Sequence, residues 1–551
     1  MAKTIVTLAV VLLVLVPSRL EAQKFYPDDP VKKDTNLVDV ANEPAEIELS
    51  DYYDRFSHIF HDFGDSALGS EALDVNTLDE VPDSVWFTNR HGLERLSLDE
   101  LRSGPNRGKG PDPKEKWLVF RGKSQGLTPG FQIRDEKGDR YVIKIDPVEV
   151  PEVASASEII ATKIFYAIGY NVPENYIVYR PPGEIEIEPG TMVEDRFGDK
   201  VPLTRFRFDR MIRRVPLRPD GTTRLVASKY IAGKPIGPFR YYGTRGDDPN
   251  DIIPHEDLRE LRGLRLISAW TNHDDTRAQN TQDSWVEENG ERFIRHYLMD
   301  FGSTFGSGSV DMQYAYLSFQ YSMDFAAMKR NLLGFGFHVP KYRKAKWPEF
   351  PKYQAVGRFE GELFDPEEWK NDYPNPAFIR MTPRDAFWAA KLIMSFTREE
   401  LEAIVETGEF SDLDNAAYFL EVLIERQRKC GEFGLNGVNP LDGFTVAGGK
   451  LAFTNLSDKY GFMEGTTRYR VNWSLYNNED GSLQPLRGPL TQSETTSNLP
   501  ESDYYHRHEQ LFLLAEIYSL NDEYPHWNKR IGVYLRPTND GYEVVGLERD
   551  S

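Results

Sequence analysis

His273-Asp274-Asp275-Thr276-Arg277-Ala278-Gln279-Asn280, followed after a strand-turn-strand pattern by Asp300-Phe301-Gly302, is the stretch on which the fold turns. Asn280 lies five positions after Asp275. A carboxylate, a side-chain amide and a second carboxylate arrive in the order base, metal ligand, metal ligand that phosphoryl transfer requires. Hard oxygen donors of this kind suit Mg²⁺ better than nitrogen or sulfur ligands would. Each piece is weak alone, because Asp-Phe-Gly occurs in ordinary turns and Asp-x-x-x-x-Asn is less specific still. The flanking pattern therefore decides the matter.

Upstream, Leu258, Leu261, Leu264 and Ile267 recur at helical spacing, so a helix over 258–270 runs directly into the His-Asp-Asp segment. Downstream, 284–286 and 293–299 read as a hairpin with Asn289-Gly290 at its tip, and Asp300 closes its second strand. Further towards the N-terminus, 117–120, 131–134 and 141–145 read as strands, the first two joined by the glycine-punctuated loop 122–130. Ile159, Ile160, Ile164 and Ile168 predict a helix over 154–168 that Gly169 ends. Two more strands are expected at 176–179 and 225–230.

On the C-terminal side, Thr382-Pro383 and the Thr397/Glu400 capping box open two helices, and 413–429 reads as a third. Helical character then fades beyond Gly431. Tyr469, Val471, Trp473 and Leu475 alternate with polar residues, and 530–535 and 542–547 flank Thr538-Asn539-Asp540-Gly541 as a hairpin. This end is expected to be a β-sandwich-like module with one helix-like stretch at 508–519.

The chain has 551 residues, enough for about three domains. Lys3 and the short apolar run 5–16, with Leu20-Glu21-Ala22 after it, predict a signal peptide over 1–22. The run is too short to span a bilayer, so an exported protein, periplasmic or extracellular, with no membrane span after cleavage is expected, with an uncleaved N-terminal anchor as the minor alternative. A single cysteine, Cys430, excludes a disulfide framework and cysteine-rich zinc sites. It follows Arg428-Lys429, which could lower its pKa. A net charge of −21 argues against nucleic acid as the partner. The division expected is 1–22 signal peptide, 23–112 N-terminal arm, 113–433 catalytic-type domain and 434–551 β-rich module. Arg245-Gly246-Asp247-Asp248-Pro249-Asn250-Asp251 reads as an acidic turn, more simply a cap for the helix at 258 than a substrate contact.

Taken together, lysine strand, glutamate helix, His-x-Asp with asparagine five later, hairpin and Asp-Phe-Gly resemble the protein-kinase-like superfamily. The resemblance covers roughly 117–430 and is nearer to divergent members, such as the HipA-type and spore-coat CotH-type kinases, than to eukaryotic protein kinases. It implies an α+β, protein-kinase-like bilobal fold with a β-rich N-lobe and a helical C-lobe, and ATP and Mg²⁺ as cofactors. Asp275 matches the catalytic base, and Arg277 could neutralise the transferring phosphoryl group. Asn280 and Asp300 match the metal ligands. Lys144 matches the lysine on the α/β-phosphates, with Glu158, or in another helix register Glu152, as its partner. Lys123, Ser124 and Gly126 would lie over the phosphates, and 229–233 would be the hinge beside the adenine.

Asp274 stands where eukaryotic kinases have arginine, and no Ala-Pro-Glu follows Asp300-Phe301-Gly302. The activity expected is transfer of the ATP γ-phosphoryl to an unknown hydroxyl acceptor, whether protein, sugar or metabolite. The alternatives are a secreted pseudokinase, a cell-surface binding protein that uses the β-module, and AMP transfer from the same site.

Overall fold

The computed structural model describes residues 23–60, 69–122, 130–194, 199–212, 215–334, 337–349, 352–500 and 508–550. A six-stranded sheet runs in the order Asn175–Arg180, Thr223–Lys229, Arg140–Ile145, Gly130–Arg134, Leu118–Gly122, Glu186–Ile187. Its pairs are antiparallel except the last. Alternation fixes the faces of the strand Arg140–Ile145. Tyr141, Ile143 and Ile145 point into a core with Trp117, Phe131 and Phe208, which leaves Lys144 on the opposite face.

That opposite face meets the helix Val153–Ile168, whose residues are buried except Tyr166. An amphipathic stripe is absent because the helix is enclosed on all sides, as its run of small and branched residues allows. Gly169 ends it at φ 147°, where a Cβ would lie 2.3 Å from the Phe87 ring. Only glycine satisfies both the backbone angle and the ring.

The second lobe is helical. Arg259–Thr271 packs on Pro383–Met394, which packs on Leu413–Asn436 around Leu264, Trp270, Trp388, Ile393 and Leu423. Capping boxes at Thr382/Asp385 and Thr397/Glu400 start Pro383–Met394 and a further helix, Arg398–Glu406. The last helix does not fade at Gly431 but continues to Asn436. Gly431 and Gly434 allow close helix contact instead of ending it: a Cβ on Gly434 would lie 2.5 Å from Ala386 O and Ala390 Cβ. Between the lobes, Thr281–Glu288 and Glu291–Leu298 form the expected hairpin, with positive φ at Asn289 and Gly290.

The C-terminal region holds a five-stranded antiparallel sheet in the order Leu483–Gln492, Arg468–Asn477, Leu511–Leu520, Ile531–Thr538, Gly541–Arg549, and a three-stranded sheet. The two share a core that includes Leu451, Phe453, Val471, Trp473, Leu513, Ile517 and Val533. The helix-like reading of 508–519 is overturned, because Leu511–Leu520 is the central strand. Its apolar run lacks alternation because both faces are covered: Leu513, Ala515 and Ile517 face the sandwich, while Phe512 and Leu514 meet Phe25 from the N-terminal arm.

The arm is therefore not loose. Phe25 sits on the outer face of that sheet, and Thr77 bonds through both its hydroxyl and its carbonyl to the edge strand at Val545 and Leu547. Phe87 lies in the helical core, and 51–60 forms a helix. Trp86 stacks on His296 at 3.4 Å. Among the described residues no helix is long and apolar enough to cross a membrane.

Candidate active site

Lys144 reaches from its strand to two carboxylates: Nζ lies 2.8 Å from Glu158 Oε2 and 2.8 Å from Asp300 Oδ1. Of the two glutamates weighed as its partner, Glu158 is the one. Glu152 sits in the left-handed region at the helix start and bonds Ser411 instead. Asn175, from the sheet's edge strand, donates to Glu158 Oε1 at 3.2 Å and to Thr162 Oγ1 at 2.8 Å. The glutamate, 1% exposed, is thus gripped from both sides. Burial works against the charge on Lys144, but Asp300 and Glu158 outweigh it and hold its pKa above the ordinary lysine value.

Asp300 itself occupies left-handed backbone at φ 62°. Its side chain remains 44% exposed, whereas Phe301 next to it is fully buried. Phe301 packs on Phe165 of the glutamate helix and on His273, with ring centroids 4.8 and 5.4 Å apart. The turn therefore buries its phenyl ring between the lobes and leaves its carboxylate facing outward. Burial lowers the pKa of His273 to about 4, so the ring is neutral near pH 7 and serves as a packing surface.

On the catalytic-type loop, Asp275 Oδ1 lies 2.8 Å from Arg277 Nε. Burial raises the pKa of Asp275, Arg277 opposes the rise, and the charge of Asp300 adds to it, so the two carboxylates sense one another. Asn280 Nδ2 donates to the Asp275 carbonyl at 2.8 Å, which leaves Oδ1 as an acceptor. The amide of Met299 donates to Asn280 O at 2.9 Å and ties the loop to the strand that delivers Asp300. Asp274 is buried, and burial together with Asp275 pushes its pKa well up.

Asn280 and Asp300 thus present an amide oxygen and a partly exposed carboxylate. That donor set fits Mg²⁺, which takes one or two protein ligands and completes its shell with water and phosphate. The crevice among Lys144, Glu158, Asp300 and Gly302 is small, about 10 Å³. Lys123, Ser124 and Gly126, expected over the phosphates, lie outside the described residues. Lys229 ends its strand opposite Tyr141, beside the lysine strand, and the chain turns at Gly233.

Other readings change. The Arg245–Asp251 turn does not cap the helix Arg259–Thr271. Asp74 of the arm accepts from Arg259 N at 2.8 Å, while Arg245 is buried on Asp247 and Asp283. Cys430 is buried, and burial pushes its thiol pKa up, the reverse of what Arg428-Lys429 suggests. Sequence reasoning missed Asn175, whose partners are set by tertiary contact, and the arm residues that reach the loop. Asp51 lies 3.2 Å from Arg277, and Arg55 lies 2.6 Å from Asp372. Another cavity, about 720 Å³, opens elsewhere among Gln313, Trp347, Arg358 and Trp369 and reaches Asn272 just before the loop.

No protein-family model matches the chain, and no curated protein matches it in sequence. Among solved structures it is similar to the Helicobacter pylori proinflammatory kinase CtkA, at 11% identity over 60% of this chain and 98% of that one, TM-score 0.32. It is also similar to the Golgi casein kinase, at 10% identity over 74% and 94%, TM-score 0.29. The Golgi casein kinase with Mn/ADP bound gives 10%, the same coverage and 0.30. A strand lysine paired with a helix glutamate, an Asp-Phe-Gly turn with its phenyl ring buried, and a sheet lobe set on a helical lobe define a protein-kinase-like fold of the α+β class.

Proposed function

We propose that this protein is a phosphotransferase that moves the γ-phosphoryl group of ATP to a hydroxyl acceptor with Mg²⁺. The observation that carries the reading is the meeting of Lys144, Glu158 and Asp300 at 2.8 Å contacts beside the Asp275 loop. Lys144 pairs with the α/β-phosphates and is oriented by Glu158. Asn280 and Asp300 would hold the cation, which would offset charge on the phosphates. Asp275 takes the acceptor proton as the new O–P bond forms and the bond from the γ-phosphorus to the ADP oxygen breaks. Its raised pKa, still opposed by Arg277, suits a group that must accept and release a proton. Export is part of the proposal, carried by the sequence of 1–22, and N-terminal sequencing of the mature protein checks it.

The test is ATP turnover and Mg-ATP thermal shift on the purified full chain. Asp275→Asn should keep the shift and lose turnover by roughly 10²–10⁴-fold. Absence of both shift and turnover in the unaltered chain would refute the reading. Released pyrophosphate in place of ADP would mark AMP transfer.

A further inference from the structure

The helix Asp51–Phe60 lies against the loop that carries Asp275. Asp51 Oδ1 is 3.2 Å from Arg277 Nη1, and Arg277 Nε is 2.8 Å from Asp275 Oδ1, so two carboxylates share one guanidinium. Two residues further along the loop, Gln279 Nε2 donates to the Leu49 carbonyl at 2.6 Å. Residues 49–51 therefore bridge Arg277 and Gln279. The segment is also anchored beyond this point: Arg55 binds Asp372 at 2.6 Å, Tyr373 donates its hydroxyl to Asp54 at 2.8 Å, and His58 packs on Tyr242 and Tyr373.

Ser50 lies between the two grips. It is exposed, and its hydroxyl accepts a long 3.4 Å bond from Tyr53 N. Among the described residues no acceptor takes its proton. An exposed hydroxyl thus lies, on a backbone anchored at both neighbours, one residue from a carboxylate that shares its guanidinium with the base. Fixing an acceptor in this way converts a bimolecular encounter into an intramolecular one, where effective concentrations are large.

We infer that Ser50 is a phosphorylation site that the chain modifies in cis. The inference rests on the phosphotransferase reading and uses a nucleoside triphosphate as donor. Ser50 Oγ forms a bond to the γ-phosphorus, the bond from that phosphorus to the bridging oxygen of the nucleoside diphosphate breaks, and the Ser50 proton passes to Asp275. The diphosphate leaves.

The test incubates the purified full chain with Mg-ATP and locates added phosphate by tandem mass spectrometry. One phosphoryl group is expected on Ser50, at a rate independent of protein concentration. It should be absent from Ser50→Ala and from Asp275→Asn, and restored in Ser50→Thr. Phosphate on Tyr52, Tyr53 or elsewhere with Ser50 unmodified would overturn the inference, as would ATP turnover by an unlabelled chain; both leave the phosphotransferase reading standing. So would a rise in turnover in Asp51→Ala with Ser50 unlabelled, which would make the segment a cover. Failure of labelling and turnover together would overturn both readings.

Discussion

Two half-buried lysines in this molecule each face a pair of carboxylates, and only one cluster is a candidate for catalysis. Lys144 meets Glu158 and Asp300, and Lys391 meets Glu80 and, at 2.9 Å, Asp442. In both, burial opposes the ammonium and the carboxylates outweigh it. The difference lies in the second carboxylate. Asp300 stands in left-handed backbone with nearly half of its side chain open, beside a loop with a further carboxylate. Asp442 is 17% exposed and also faces Arg549 at 3.5 Å, so its charge is already spent on protein. The Lys391 cluster joins arm, helical lobe and β-module. A lysine–dicarboxylate group is thus a fastener when closed, and a candidate working site when one carboxylate stands partly open to solvent.

Exchanging the lysines breaks this comparison most sharply. Lys144→Met should lower ATP turnover by on the order of 10²–10³-fold and abolish the Mg-ATP thermal shift. Lys391→Met should leave turnover per folded molecule intact and lower stability by about 3 kcal/mol, read as a drop in urea midpoint. Turnover that survives in Lys144→Met, or is lost in folded Lys391→Met, would reverse the assignment. Asp79 extends the fastener. Burial works against its charge, but Arg259, Arg384 and Arg549 hold its pKa down to about 2 against 3.8. A depressed carboxylate stabilises above its unfolded pKa and loses that contribution as pH falls through the folded value. Linkage therefore gives about 2 kcal/mol lost between roughly pH 4 and pH 2, and Asp79→Asn should flatten the stability profile across that window. Asn175→Ala sharpens the other side, since it removes the donor to Glu158 Oε1 and should raise the KM for ATP a few-fold while the products stay the same. Thr397→Ala, remote from both clusters, should cost only about 1 kcal/mol by removing a helix cap.

Much of this was legible in the sequence because the signals were local. The strand with Lys144, the helix with Glu158, the Asn289-Gly290 hairpin and two capping boxes follow from period and turn chemistry. Leu511–Leu520 defeated the same reasoning because a strand covered on both faces has no alternation to read. Asp74 as the cap of Arg259–Thr271, Asn175 behind Glu158 and Asp51 on Arg277 all depend on contacts between residues far apart in the chain. No spacing rule reports those. Cys430 shows the same limit in reverse: its cationic sequence neighbours suggested activation, but burial of the thiol outweighs even the arginines near it in space, Arg426 and Arg265.

The seat of Phe25 on the sheet formed by residues 468–549 also bears on how the polypeptide is made. Residues near 25 leave the ribosome early, yet their binding surface exists only after residues 512–545 have been synthesised. The arm must wait, unsatisfied, through most of translation. Such sequence-distant closure slows folding, so final assembly of this molecule is a late, post-synthetic event in which the arm is laid over lobes that have already formed.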